Sequence, residues 1–265
     1  MYLLKNDKSI EYANGKVLYF SVERFISDIV EGDCCFICGA KPNQVEYNDE
    51  HILPKWILKK YNLFHRKIGL PNLTGYRYDR YTIPCCAECN SLMNTKIEQP
   101  IKKITEKGYS EVVTHIKKEG PWLFFIWLSL IYIKTHLKDK LLKYDYKSEL
   151  NATMIADQYD WNSFHHIHCV ARSFYTKPEL SKNVIGSLLI LPTKTSKHYE
   201  SYDYRDLYYA KTMFIQLGEI AFITVLNDSC ASLSFVSEFV SKINGFVSPL
   251  QIRELLARLA YANIK

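Results

Sequence analysis

Two pairs of cysteines have the spacing of a metal site. Cys35 and Cys38 stand in the sequence CFIC, and Cys86 and Cys89 stand in CAEC. Two intervening residues allow a tight turn to point both sulfur atoms at one ion, and two such turns complete the tetrahedral shell that zinc prefers. A shell of four thiolates leaves no position for a substrate, so we expect a structural zinc ion. A redox-active disulfide is the alternative interpretation of the same spacing.

The other four cysteines are weaker candidates. Cys34 and Cys85 each precede a pair by one position, and neither has a cysteine three residues later. Cys169 and Cys230 lie in apolar stretches, so we expect both to be buried, unreactive thiols. The N-terminal sequence has no apolar segment typical of a secretory signal, which favours bound metal in a reducing cytoplasm over a disulfide framework.

His51 is the candidate for acid–base chemistry. It follows Glu50 in the sequence NDEHILPKW, between the two cysteine pairs. A histidine has a reference pKa near neutrality, which suits proton abstraction at working pH, although an isolated histidine near a loop is more often a solvated surface residue. Asn90 directly follows Cys89, and Asn94 lies one helical turn further on the same face. Asn90 is equally suited to capping the helix that begins there.

This order of motifs resembles that of the HNH nucleases, over about residues 32–108. Two CxxC pairs bracket an acid–His element with Pro54 shortly after it, and an asparagine follows the last cysteine. The resemblance implies a ββα-metal fold on a treble-clef-like zinc scaffold. It also implies that His51 is the general base that activates water against a phosphodiester. Glu50 and Asn90, with Asn94 as a second candidate, would then hold a catalytic Mg²⁺ or Mn²⁺.

Two positions depart from the family pattern. Most HNH nucleases have Asp directly before the histidine, where this chain has Glu50, and their middle Asn falls near Tyr81 or Thr82 here. The leading hypothesis is a metal-dependent endonuclease that cuts nucleic acid, DNA rather than RNA. A non-catalytic zinc-knuckle module that binds nucleic acid or protein is the alternative. A third hypothesis is a nuclease effector of a defence or toxin system, controlled by a regulatory protein partner or by homo-oligomer formation.

Positive charge is concentrated around these motifs. The chain carries a formal charge of +6, and residues 52–120 contain 13 Lys or Arg against 6 Asp or Glu. Such a cluster is either an ordinary solvated face or a surface that follows phosphates. We expect the second, with Lys55, Arg77, Arg80 and Lys96 as the first nucleic-acid-binding candidates. We expect no membrane partner, because the most apolar run, residues 122–133, is too short to span a bilayer and is typical of a buried helix.

Hydrophobic periodicity predicts a mixed helical and antiparallel-sheet region in the C-terminal part of the chain. Together with the N-terminal zinc-stabilised ββα-metal module that the resemblance implies, it gives an α+β fold. Three parts are expected: an N-terminal hairpin and helix (1–31), the HNH module (32–108) and a C-terminal region of unknown role (109–265). A hairpin turn is expected at Asn14-Gly15, and Ser21 is expected to cap the following helix. Helices are predicted over 21–30, 54–64, 90–107 with a disturbance at Pro100, 121–142, 152–175 and 248–265, the last with a capping box of Ser248 and Gln251. Strands are predicted over 73–89, 183–193, 208–217, 219–228 and 230–240.

The sequence HHIHC, from His165 to Cys169, invites a second metal site. On a helix its three histidines do not all share a face. We therefore expect a structural role for them.

Overall fold

The computed structural model describes residues 2–145, 153–178, 186–195 and 201–264. The strands are β1 (Tyr2–Leu4), β2 (Ile10–Tyr12), β3 (Val17–Tyr19), β4 (Tyr47–His51), β5 (Lys67–Gly69), β6 (Gly75–Arg77), β7 (Thr82–Cys86), β8 (Ser187–Pro192), β9 (Tyr202–Leu207), β10 (Thr212–Leu217) and β11 (Ile220–Val225). The α-helices are α1 (Val22–Arg24), α2 (Lys55–Lys60), α3 (Ala87–Met93), α4 (Gln99–Glu106), α5 (Tyr109–Glu119), α6 (Trp122–Asp139), α7 (His165–Ala171), α8 (Ser173–Thr176), α9 (Ala231–Ser241) and α10 (Pro249–Ile264).

This mixed α/β chain forms two compact units, each built from two separate segments. The first unit comprises Met1–Glu98 and Leu130–Lys177, and the second comprises Gln99–Ser129 and Pro178–Lys265. Helix α6 contributes its N-terminal half to the second unit and its C-terminal half to the first. The parts expected from the sequence follow the chain continuously, whereas the two units do not, because contacts within a fold need not follow chain order.

In the first unit, a β-ribbon followed by a helix carries the sequence motifs. Strands β4 and β7 pair antiparallel, from Tyr47 opposite Cys86 to His51 opposite Thr82. Helix α3 begins directly after β7, and its N-cap is Cys86, whose Sγ accepts from the Cys89 amide. A second small ribbon, β5 with β6, lies between the two strands in the sequence.

The N-terminal elements of this unit follow the sequence closely. Strands β2 and β3 form the predicted hairpin, with Gly15 at a φ of 82°. The connection spans residues 13–16 rather than two residues, and β1 adds a third strand that was not predicted. Ser21 caps α1, since its side chain accepts from the Arg24 amide. The helix then continues as a π-helical segment, Phe25–Val30.

The helix predicted over 90–107 is interrupted as expected. A π-helical segment, Asn94–Glu98, separates α3 from α4. Pro100 is the second residue of α4 and has no N–H to donate to a carbonyl in the preceding turn. A π-helical turn next to such a residue allows the chain to continue as a helix.

Two predicted elements of the first unit are divided. The strand predicted over 73–89 becomes β6, a 3-10 turn at Tyr78–Arg80, and β7, and its last three residues belong to α3. The helix predicted over 152–175 becomes two 3-10 turns, Ile155–Gln158 and Trp161–Phe164, followed by α7 and α8. The Asp160 side chain accepts a hydrogen bond from the Asn162 amide and starts a separate turn. This local bond competes with the backbone bonds of a continuous helix and so interrupts the helix.

The second unit is a four-stranded antiparallel sheet with helices α9 and α10 packed against it. The strand order is β8-β11-β10-β9, and β10 and β11 are buried throughout. Phe214 and Ile223 belong to the core that α9 and α10 cover. Phe222, on the opposite face, stacks on Phe124 of α6 with ring centroids 5.4 Å apart. Both faces of the central strands are therefore covered, which accounts for their continuous apolar sequence.

The prediction for residues 230–240 is wrong, because α9 occupies this position. Leu233, Val236 and Val240 recur at helical spacing and pack against the core beneath the sheet. Strand β9 was not predicted, and the beginning of the strand predicted over 183–193 lies outside the described residues. The capping box of α10 is confirmed: the Ser248 amide donates to Gln251 Oε1 at 2.8 Å, and the Gln251 amide donates to Ser248 Oγ at 3.3 Å.

Helix α6 is buried along most of its length, from Phe124 to Asp139, as expected of the apolar run within it. Over the described residues, no helix is both long and apolar enough to cross a membrane.

Candidate functional site

The four predicted cysteine ligands lie together. The Sγ atoms of Cys35, Cys38, Cys86 and Cys89 are all within 4.8 Å of one another. Zn–S bonds of about 2.3 Å place tetrahedral sulfurs about 3.8 Å apart. The Sγ atoms of Cys38 and Cys86 are separated by 3.7 Å, which matches this value, so the cluster is compatible with a structural zinc ion. The other sulfurs donate to Cys35, Cys38 first among them, and hold the pKa of this thiol far below its usual range.

Two tight turns build this centre. The Gly39 amide donates to the Cys35 carbonyl at 2.8 Å, and the Ala40 amide approaches Cys38 Sγ at 3.5 Å. Gly39 has a φ of 78°, and a Cβ there would lie 2.7 Å from the Phe20 ring. Only glycine fits this position without strain. The second turn is the start of α3, where Cys86 and Cys89 are one helical turn apart.

The remaining cysteines divide as follows. Cys85 Sγ lies 3.8 Å from Cys35 Sγ, next to the centre but outside the group of four. Cys34 is half-buried and contributes no sulfur to that group. Cys169 was expected to be buried and is half-buried, and burial raises the pKa of its thiol to about 11, which disfavours the reactive thiolate. Cys230 was expected to be buried and is exposed, because it precedes α9 in a left-handed turn rather than lying in a strand.

Side chains at the C-terminal end of helix α7 donate hydrogen bonds to the turn that carries Cys35 and Cys38. His168 Nε2 donates to the Phe36 carbonyl at 2.6 Å, and Arg172 Nε donates to the Ile37 carbonyl at 2.8 Å. Both carbonyls lie between Cys35 and Cys38. Burial lowers the pKa of His168 to about 3, so its ring is neutral, and burial lowers the pKa of Arg172 to about 10, which leaves the guanidinium charged at pH 7.

The structural role expected for the HHIHC histidines fits these contacts. His165 Nε2 donates to the Phe20 carbonyl at 2.7 Å. The four-cysteine group is the only cluster of three or more potential metal ligands found across residues 2–145, 153–178, 186–195 and 201–264. Sequence reasoning did not single out Arg172, whose side chain is almost fully buried.

His51 is the last residue of β4 and is half-buried. Its Nδ1 is buried without a hydrogen-bond partner among the described residues. Burial and then the positive charge of Lys55 lower the pKa of His51 most, Glu50 opposes them, and Lys134 lowers the pKa and the Asp79 backbone raises it by less. The imidazole is therefore neutral at pH 7.

Glu50 points to the other face of the strand, since successive side chains of a strand alternate. It is buried, and its Oε1 accepts from Lys134 Nζ at 2.6 Å. The same ammonium donates to the His51 carbonyl at 2.8 Å and lies 3.8 Å from Glu98 Oε1. Burial raises the pKa of Glu98 to about 7. Sequence reasoning missed Lys134 and Glu98, although a lysine inside an otherwise apolar helix was a signal that it needs a buried acidic partner.

The predicted ligands of a catalytic divalent ion have separate partners. Asn90 Nδ2 donates to Asn48 Oδ1 at 2.6 Å, whereas Glu50 is bound by Lys134. Within the described residues, no hydrogen bond joins Glu50 to Asn90. Asn94 is an exposed residue at the end of α3. Glu50, Asn90 and Asn94 therefore do not form a ready set of oxygen ligands for Mg²⁺ or Mn²⁺.

The four basic candidates differ in availability. Lys55, Arg80 and Lys96 are exposed. Arg77 Nε donates to Asp79 Oδ1 at 3.0 Å, and its Nη2 is 3.2 Å from His65 Nδ1. Asp79 thus neutralises the charge of Arg77, and the other three are better placed to contact an anion.

No known family model matches this sequence, and no curated protein or solved structure is significantly similar to it.

Proposed function

We propose that this chain is an endonuclease of the HNH type, which hydrolyses phosphodiester bonds with His51 as general base. The observation that carries the proposal is the state of His51. Burial lowers the pKa of its imidazole, which keeps the ring neutral at pH 7, and the residue ends a strand of the ribbon whose other strand leads into the four-cysteine centre. A base must be unprotonated to accept a proton, and this environment keeps it so.

The proposed steps use groups of the protein. The imidazole of His51 takes a proton from a water molecule as the oxygen of that water attacks phosphorus. The bond from phosphorus to the 3′ oxygen then breaks, and solvent protonates the leaving oxygen. Lys55 is exposed, begins α2 and lies close enough to His51 to lower its pKa, so it can face the negative charge that develops on the phosphate.

The resemblance to HNH nucleases also implies a catalytic Mg²⁺ or Mn²⁺. The Glu50–Lys134 ion pair is at odds with that ligand set, so no proposed step passes through a divalent ion. The four-cysteine centre would hold a structural zinc ion that ties the start of α3 to the turn before β4.

The test is cleavage of DNA and RNA by the zinc-loaded full chain. We expect His51→Ala to lower the cleavage rate about 100-fold or more, the usual contribution of a positioned base. His65→Ala is the matched control, because His65 is an exposed histidine of the same unit, and its rate should stay within about twofold of wild type. Zinc content and circular dichroism check that both variants fold. A His51→Ala variant that cuts as fast as wild type would rule out the assignment.

A zinc-stabilised module that binds nucleic acid without cutting it is the second candidate. The ion pair of Glu50 with Lys134 favours it, because that contact commits the acid of the acid–His element to a structural partner. This candidate predicts that wild type and His51→Ala bind a labelled duplex equally and that neither cleaves it. It also predicts that Arg80→Glu and Lys96→Glu each weaken binding and reduce its salt dependence.

A further inference from the structure

A buried ammonium lies between two carboxylates at the end of β4. Lys134 Nζ is 2.6 Å from Glu50 Oε1, 3.8 Å from Glu98 Oε1 and 2.8 Å from the carbonyl oxygen of His51. The side chains of Lys134, Glu50 and Glu98 are 2%, 9% and 13% exposed. Three separate parts of the chain meet here: β4, the π-helical segment after α3, and α6.

The oxygen atoms around Lys134 are of the kind that a divalent cation binds. Two carboxylates and a backbone carbonyl are hard oxygen ligands, which suit Mg²⁺, Mn²⁺ or Ca²⁺ as well as an ammonium. A cation at this position stabilises the ionised carboxylates, because a buried carboxylate without one is costly or becomes protonated. A lysine supplies that cation permanently, since it is attached to the chain and carries three donors.

We infer that the ammonium of Lys134 occupies the position beside Glu50 and Glu98 that a divalent ion would otherwise occupy. It thereby prevents Mg²⁺ and Mn²⁺ from binding there. Lys134 also positions His51, because it bonds the carbonyl of that residue while bonding the side chain of the residue before it. This role in metal exclusion stands apart from the proposed hydrolysis. Only its consequence for cleavage rests on the proposed function.

The test is Mn²⁺ binding by the zinc-loaded full chain, followed by electron paramagnetic resonance. Wild type should show no bound Mn²⁺ that depends on Glu50, so wild type and Glu50→Gln should give the same titration. Lys134→Met should gain one Mn²⁺ per chain, at least tenfold tighter than any site of wild type. Adding Glu50→Gln to Lys134→Met should abolish the gain.

Lys138→Met is the matched control. Lys138 lies one turn further along α6, with its Nζ 5.3 Å from the centre of the Tyr76 ring. Its removal should leave Mn²⁺ binding as in wild type. A wild-type chain that binds one Mn²⁺ and loses it in Glu50→Gln would overturn the inference, as would a folded Lys134→Met chain that binds none.

Lys134→Met leaves two buried carboxylates without a cation, so its zinc content is measured first. If Lys134→Met does not fold, the comparison of Mn²⁺ binding by wild type and by Glu50→Gln is the test. Glu50→Gln keeps the ammonium of Lys134 beside Glu98, so it leaves no buried carboxylate without a cation. Cleavage gives a separate readout: the rate of wild type should change less than twofold on addition of Mg²⁺. A chain that cuts nothing contradicts the proposed function, and the Mn²⁺ titration still decides the role of Lys134.

Discussion

Replacing Arg172 by methionine should loosen the four-cysteine centre. The guanidinium of Arg172 donates to the carbonyls of Ile37, Leu18 and Val17 at 2.8, 3.1 and 2.7 Å, and the side chain is almost fully buried. Burial lowers the pKa of Arg172 to about 10, and the charges of Cys169, Tyr175 and Cys38 act in the opposite direction, so the guanidinium stays charged beside the cysteine cluster.

The magnitude follows from these contacts. A hydrogen bond from a charged donor contributes about 1.5–3 kcal/mol, and three bonds from one group are not additive. We expect Arg172→Met to lower the free energy of unfolding of the first unit by about 4 kcal/mol, which resembles the cost of breaking a buried ion pair. With a urea dependence of about 2 kcal/mol per molar, the midpoint should fall by about 2 M.

The assay is zinc release to a colorimetric chelator along a urea titration, which reports on the first unit alone. Arg24→Met is the matched control, since both guanidinium groups lie over the Phe20 ring, at 4.5 Å for Arg172 and 5.2 Å for Arg24. Arg24 is paired with Glu11 and Asp28 near the surface, so its loss should cost about 1 kcal/mol. Equal midpoints for the two variants would refute the reasoning, because burial would then add nothing to the role of Arg172.

Three further predictions concern the zinc centre, pH and the C-terminal helix. The purified chain should contain one zinc ion by atomic emission, Cys35→Ser should lose it, and Cys85→Ser should keep it, because Cys85 lies outside the group of four. The folded His168 has a pKa of about 3 and the unfolded one about 6.5, so the unfolded state binds more protons between these values and stability falls on acidification. Between pH 7 and pH 5 this difference in pKa lowers the free energy of unfolding by about 2 kcal/mol. The urea midpoint of His168→Gln should therefore fall less than that of wild type over the same pH range. Ser248→Ala removes one of the two hydrogen bonds of the capping box of α10. In urea titrations it should lower the free energy of unfolding of the second unit by about 1 kcal/mol, whereas the control Ser241→Ala should leave it almost unchanged.

Local chemistry made several features predictable. A CxxC pair can aim two sulfurs at one point over a single turn, so the sequence alone was sufficient to identify the cysteine cluster. The caps at Ser21 and Ser248 depend on bonds that reach at most three residues along the chain. The apolar runs in the sequence predicted the antiparallel strands β8, β10 and β11.

Longer-range packing decided the features that sequence reasoning missed. Residues 230–240 have valine and phenylalanine residues that suit a strand, but their apolar positions also fit a helix, and the core against which Val236 packs selects the helix. The break in residues 152–175 depends on side chains such as Asp160 that compete with the helix locally, a balance that periodicity does not weigh.

The sequence by itself determined which residues could bind zinc and which histidine could act as a base, because those properties belong to residue type and short spacing. Only the tertiary structure decided what surrounds His51 and Glu50. Lys134 comes 84 positions after Glu50 in the sequence, yet its ammonium bonds that carboxylate. A charge so far away along the chain reaches the acid–His element only through folding, and burial then makes the contact strong by removing the water that would screen it.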